Sequence, residues 1–265
     1  MKPRSAAVEP VALTFRVSAD ALTGPARAIL FESLLHHVLF MRGQIPVPFG
    51  DLEACLTKAA AAEFQSPLAP RPRPGFCGGV STIRKQSELR KLRRYVDEVA
   101  LICQGVRQFC LAVPTERISI YFGSSAKSPR EMVTLQFASK NQATGLGGGG
   151  GERGKETDLM SRKLIREMVI AFSESPPAAL PKSSALFVSI ACQEGQVIEG
   201  QGAEVFALRD GFRAVPRKRG PPPIVVTIDA IDAEGDASYS PAPAVFVSRR
   251  GVRGLQRGTV ACLGL

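Results

Sequence analysis

RISIYFGSSAKSPREMVTLQFAS, residues 117–139, decides how the chain is read. It contains two alternating runs. RISIYFG (117–123) is the first, and EMVTLQFAS (131–139) is the second, with Val133, Leu135 and Phe137 on one face. A period of two marks a strand with one buried face. The linking SSAKSPR is rich in turn formers. The pair therefore reads as an antiparallel hairpin.

The segments flanking the hairpin are helical. IRKQSELRKLRRYVDEVALICQGVRQFCLAV (83–113) precedes it and stops at Pro114. Leu89, Leu92, Val96, Val99, Ile102, Val106 and Phe109 recur every three or four residues and predict a core stripe. TDLMSRKLIREMVIAFSES (157–175) follows, with Thr157 as the expected cap and Pro176 as the stop. Ile165, Val169 and Phe172 form its apolar stripe, Leu164 and Met168 widen it, and Arg162 and Arg166 flank it. Nearer the N-terminus, PARAILFESLLHHVLFMRGQ (25–44) reads as a third long helix. Ile29, Ser33, Leu34, His37, Val38 and Met41 lie at helical spacing, Pro25 suits a first turn, and Pro46 and Pro48 end the run. DLEACLTKAAAAEF (51–64) reads as a short helix.

The remaining strand signals are VALTFRV (11–17), SALFVSIAC (184–192), VVTIDAI (225–231) and AVFVS (244–248). Residues 193–223 read as polar connection. Strand, helices, hairpin, helix and strands in that order predict an α+β fold, with helices packed on an antiparallel sheet. One domain over 11–250 is expected, with a flexible N-terminus (1–10), exposed mobile loops at 65–82 and 140–156, and a loose basic tail at 251–265.

Composition narrows the function. The chain has 265 residues and is 45% hydrophobic, enough for a core. No apolar run reaches the roughly 18–20 residues needed to span a bilayer, so no membrane partner is expected. MKPRSAAVEPVALTF lacks a secretory apolar region. Six cysteines without a C-x-x-C pair point to reduced thiols. The Gly149, Gly154, Lys155 spacing matches a phosphate loop, but Glu156 replaces its magnesium-binding hydroxyl, and a glycine-rich linker is the better reading. His36 and His37 lie in an amphipathic helix without an evident orienting carboxylate. No acid pair or nucleophile elbow stands out, so neither catalysis nor a cofactor or metal is expected. The net charge of +10 and the basic run Arg84–Arg94 allow an alternative, a nucleic-acid- or chromatin-associated protein. With three tyrosines and no tryptophan, stacking platforms are poor, and a solvated basic face is preferred.

Three segments, in register, carry a resemblance. LLHHVLFMRGQIPVPF (34–49) resembles the pattern L-L-x-H-x-x-x-x-R-x-Q-x-P-x-P-aromatic. RISIYFGSSAKSPREMVTLQFAS resembles R-[VI]-x-I-x-x-G-x-x-x-x-S-P-K-E followed by a strand. SRKLIREMVIAFSESPPAAL (161–180) is similar to a helix opening R-[RK]-L-x-R, and APAVFVSRRG (242–251) is weakly similar to a closing segment. These are patterns of the comet family of the spindle checkpoint, vertebrate binders of the HORMA protein Mad-two. The resemblance implies a HORMA-like domain: an antiparallel sheet backed by three long helices (25–44, 83–113, 157–175) and wrapped by a C-terminal belt at about 195–250. It also implies a non-enzymatic adaptor. Such a protein holds the closed conformer of Mad-two and presents it to a hexameric AAA+ ATPase, which silences the checkpoint and promotes mitotic exit. Nucleus and cytoplasm, with spindle or kinetochore association in mitosis, are the implied locations.

The resemblance also implies site residues. Ile165 stands where the family has an aromatic anchor, with Arg162 and Arg166 matching its basic flank and Val169 and Phe172 extending the contact. Met41 replaces a glutamine, and Arg42 beside it is kept. Leu208 and Arg209 overlie a Pro-Lys pair that touches the ATPase. The competing reading of Ile165 and Phe172 is that they face the protein's own sheet.

Overall fold

The hairpin forms the middle of the sheet. The computed structural model describes residues 10–18, 21–65, 79–137, 152–174, 180–181, 184–192, 203–217, 221–230 and 243–255. In chain order its elements are β1 (Val11–Val17), α1 (Gly24–Met41), α2 (Phe49–Gln65), α3 (Gly79–Ala112), β2 (Thr115–Gly123), β3 (Glu131–Phe137), α4 (Glu152–Glu174), β4 (Ala185–Cys192), β5 (Phe206–Leu208), β6 (Ile224–Ala230), β7 (Ala244–Ser248) and β8 (Val252–Arg253). β2 and β3 run antiparallel with Ile120 opposite Val133, and β4 flanks β2 with Val188 opposite Ile120. Ile118, Ile120 and Phe122 of β2 turn to one face and join the main core; Tyr121 turns to the other. The chain is thus α+β, with an eight-stranded sheet in the order β1-β6-β3-β2-β4-β7-β5 and β8 beside β4.

The sheet is mixed, which corrects the expectation of an antiparallel one. β6 runs parallel to both β3 and β1, with Val226 paired to Leu135 on one side and Leu13 on the other. The cause is the route of the C-terminal segment. After β4 the chain forms β5 at one edge of the sheet, crosses to the far side to form β6, and returns as β7 and β8 beside β4. A long crossing, unlike a tight turn, can bring a strand back in the parallel sense.

The crossing is laced to the hairpin turn. Val215 N–H donates to the Lys127 carbonyl at 3.0 Å and Arg217 N–H to the Pro129 carbonyl at 3.1 Å. Phe212 meets Tyr121 edge-on, with ring centres 6.2 Å apart, in a small second core with Ala126, Phe187 and Val247. That cluster covers part of the sheet face opposite the main helices.

α1, α3 and α4 pack on the first face. α1 lies between the other two, and Leu30, Phe31, Leu34, Leu35, Val38 and Leu39 are all buried. Burial on several sides explains why the stripe expected through Ile29 and Ser33 is off-centre: a helix enclosed by neighbours has no single apolar face. Thr23 caps it by accepting from Ala26 N–H at 3.4 Å, and Pro25 sits in the first turn. Gly24 is required there, since a Cβ would lie 2.2 Å from the Cys110 carbonyl of α3. Arg27 then donates to the Thr115 carbonyl at 2.7 Å, tying α1 to the start of β2.

Several boundaries differ from the sequence reading. α4 starts at Glu152, so Gly154 and Lys155 lie in its first turns and Thr157 is an interior, buried residue, not a cap. The helix formers Glu, Arg and Lys outweigh the single glycine there. α3 likewise starts at Gly79, inside the expected loop 65–82. The supposed polar connection 193–223 contains β5, whose Phe206 packs against Phe109 of α3 and closes that edge. The tail is docked at its start: Val252 is buried and Leu255 N–H donates to the Gln44 carbonyl at 2.8 Å. The expectations for 1–9, 66–78, 138–151 and 256–265 lie outside the described residues.

Candidate functional site

The sequence directs attention to α4, and the structure separates its faces. Met160, Leu164, Met168 and Phe172, each four residues on, are buried against the core, as is Ala171. This corrects the stripe drawn through Ile165, Val169 and Phe172. Adjacent positions on a helix are about 100° apart, and with Leu164 at the centre of the buried face Ile165 falls at its margin. Phe172, at 5% exposure, belongs to the protein's own interior. Ile165 lies half-buried on the shoulder, and Val169 beside it reaches 36% exposure.

The outward face holds more apolar surface than the sequence reading assigned. Leu159 is 65% exposed and Ile170 41%. Arg162 and Arg166 stand between them and are exposed. Leu159, Arg162, Arg166 and Ile170 therefore make one ridge at three- and four-residue spacing, with Ile165 and Val169 along its side. Leu159 and Ile170 fall outside the expected stripe, and with the buried face centred on Leu164 and Met168 they lie on the outer one.

The other named residues divide between two places. Met41 is half-buried and packs against the core. Arg42 is buried and donates from Nε to Glu131 Oε2 at 2.7 Å, joining the end of α1 to the start of β3. Its guanidinium also lies over the Phe172 ring, 5.9 Å from the centroid. Arg42 thus acts as an internal fastener between α1, β3 and α4, whereas the resemblance places it in the partner contact. Burial pushes the Glu131 carboxyl up, with Arg42 opposing that shift. Leu208 and Arg209 are exposed at the end of β5, on the sheet edge opposite β1, the strand against which α4 packs.

The basic part of α3 is partly neutralised within the helix. Arg90, Lys91, Arg93 and Arg94 are exposed, but Lys91 pairs with Glu88 at 2.8 Å and Arg94 with Glu98 at 2.9 Å. His36 stacks on Phe49 at 4.0 Å, and burial lowers its pKa to about 4. Among the described residues no group of His, Cys, Asp or Glu has the arrangement to hold a metal ion, and no helix is long and apolar enough to cross a membrane.

No protein-family model matches this chain, and a search of curated proteins finds no match. The class that the structure defines is therefore architectural: an α+β protein with a mixed eight-stranded sheet, helices on one face and a C-terminal segment that supplies strands to both sides of a central hairpin.

Proposed function

We propose that this chain is a HORMA-like, non-enzymatic adaptor. It docks the outer shoulder of α4 on the closed conformer of a Mad-two-type protein and presents that partner to a hexameric AAA+ ATPase, silencing the spindle checkpoint. Nuclear and cytoplasmic location, with spindle or kinetochore association in mitosis, belongs to the same proposal. The observation that carries it is the α4 ridge, where Leu159, Ile165, Val169 and Ile170 lie beside Arg162 and Arg166. Exposed apolar side chains among arginines suit a helix-to-helix contact, in which a few large residues supply most of the affinity. The route of the C-terminal segment is in keeping with a wrapping belt. Leu208 and Arg209, exposed at the other edge, leave room for the ATPase while α4 is occupied.

The test is capture of closed-conformer Mad-two by purified variants. Ile165→Arg and Ile170→Glu are each expected to reduce capture about tenfold, since loss of an interface anchor costs more than about 1 kcal/mol. Melting temperatures should fall by no more than a few degrees. Undiminished capture by both variants rejects the α4 contact.

A further inference from the structure

The turn between β2 and β3 contains Lys127, Ser128, Pro129 and Arg130. The Ser128 side chain is exposed, while Pro129 is buried. The crossing segment, 209–217, is bonded to the turn on both sides of that serine, through the Lys127 and Pro129 carbonyls. Arg217 adds a third link, its guanidinium donating to Ser124 Oγ at 3.2 Å. Lys127, Arg130, Arg213 and Arg217 are exposed around this junction, and among the described residues none of them is ion-paired. The junction thus presents four cations, an accessible hydroxyl followed by proline, and the contact that holds the C-terminal segment across the sheet.

We propose that Ser128 is a phosphorylation site for a proline-directed serine/threonine kinase, and that its phosphate clamps the crossing segment onto the hairpin turn. In the transfer, Ser128 Oγ forms a bond to the γ-phosphorus of ATP, and the bond from that phosphorus to the β–γ bridging oxygen breaks. ADP leaves, and the serine proton passes to the kinase's catalytic base. The added group carries a charge of about −1.5 to −2 and strong acceptor oxygens. Beside Lys127, Arg130 and Arg217 those oxygens gain charge-assisted hydrogen bonds, roughly twice as strong as neutral ones. Pro129 is buried and its carbonyl is held by Arg217 N–H, so the kinase reads the Ser-Pro pair when the crossing segment lets go of the turn. The mark is therefore written on the open form and holds the closed one. This inference does not depend on the α4 reading.

The experiment uses the full chain with Ser66, Ser175 and Ser240, the other serines that precede proline, replaced by alanine. It is treated with a proline-directed kinase and ATP, the product is mapped by mass spectrometry, and amide exchange is followed at Val215 and Arg217. Phosphate is expected at Ser128, with exchange at those two amides slowed about fivefold. Arg217→Gln should accept phosphate faster, because its turn opens more readily, and should lose most of the slowing. A parallel sample with phosphoserine installed at 128 during synthesis separates the clamp from the kinase step. Absence of phosphate at Ser128 in both proteins overturns the site. Unchanged exchange in the phosphoserine sample overturns the clamp, as does full slowing in Arg217→Gln.

Discussion

Arg42 and Glu131 lie 89 positions apart and meet at 2.7 Å, with side-chain exposures of 6% and 2%. Removing one partner strands the other charge in a low-dielectric interior. Arg42→Met should therefore cost about 3–5 kcal/mol, while the double change Arg42→Met with Glu131→Leu should recover most of it. Urea denaturation of the parent, the two single variants Arg42→Met and Glu131→Leu, and the double variant checks this; an additive double variant would mean that the charges act independently. His36 gives a pH signature. Burial lowers its pKa from 6.5 to about 4, so the ring is neutral in the fold. Its contribution is complete above pH 6.5 and is lost as pH falls towards 4, by up to about 3 kcal/mol. Glu131, raised by burial, has the opposite sign: its contribution is greatest at low pH and declines as pH rises through its raised value. The differential test is His36→Phe, which should keep the stack on Phe49 and flatten the drop in melting temperature between pH 7 and 4.5. The resemblance did single out Arg42, but as a partner-binding residue beside Met41. Nothing local could have revealed a partner on another element.

α4 shows what periodicity can and cannot locate. A helix over this stretch, apolar at three- and four-residue spacing, was legible. Which side of the stripe faces inward was not, because Leu164–Ile165 and Met168–Val169 are adjacent apolar pairs that permit two centres. Packing against α1 and β1 settles the choice in favour of Leu164 and Met168. Leu164→Ala is accordingly expected to cost about 2–4 kcal/mol, the usual penalty for a core cavity. Ile170→Ala should stay within about 0.5 kcal/mol of the parent. Chemical denaturation distinguishes them, and equal costs would mean that the ridge is packed and not free. The start of α4 at Glu152 was hidden by the glycines before it, which read as linker. α1 was legible as a helix over 25–44, but its stripe was not, since a helix enclosed on several sides has no single apolar face to read.

At the scale of the molecule, the local pairings were the legible ones. The β2–β3 hairpin, the seven residues of β1 and the five of β7 were found at their positions, because each announces itself within a few residues. The mixed order of the sheet was not, because β6 joins β3 and β1 over long separations in sequence, and alternation carries no information about a strand's distant neighbour. β5 was missed because three residues make no pattern.

The pairing of β1 with β6 has a consequence for biogenesis. β1 leaves the ribosome well before β6, which is made about 200 residues later. At about 5–20 residues per second, that is a wait of roughly 10–40 seconds in which the edge that will meet β6 is bare. Until β6 arrives, that edge is open to other chains, so misassembly during synthesis competes with native pairing.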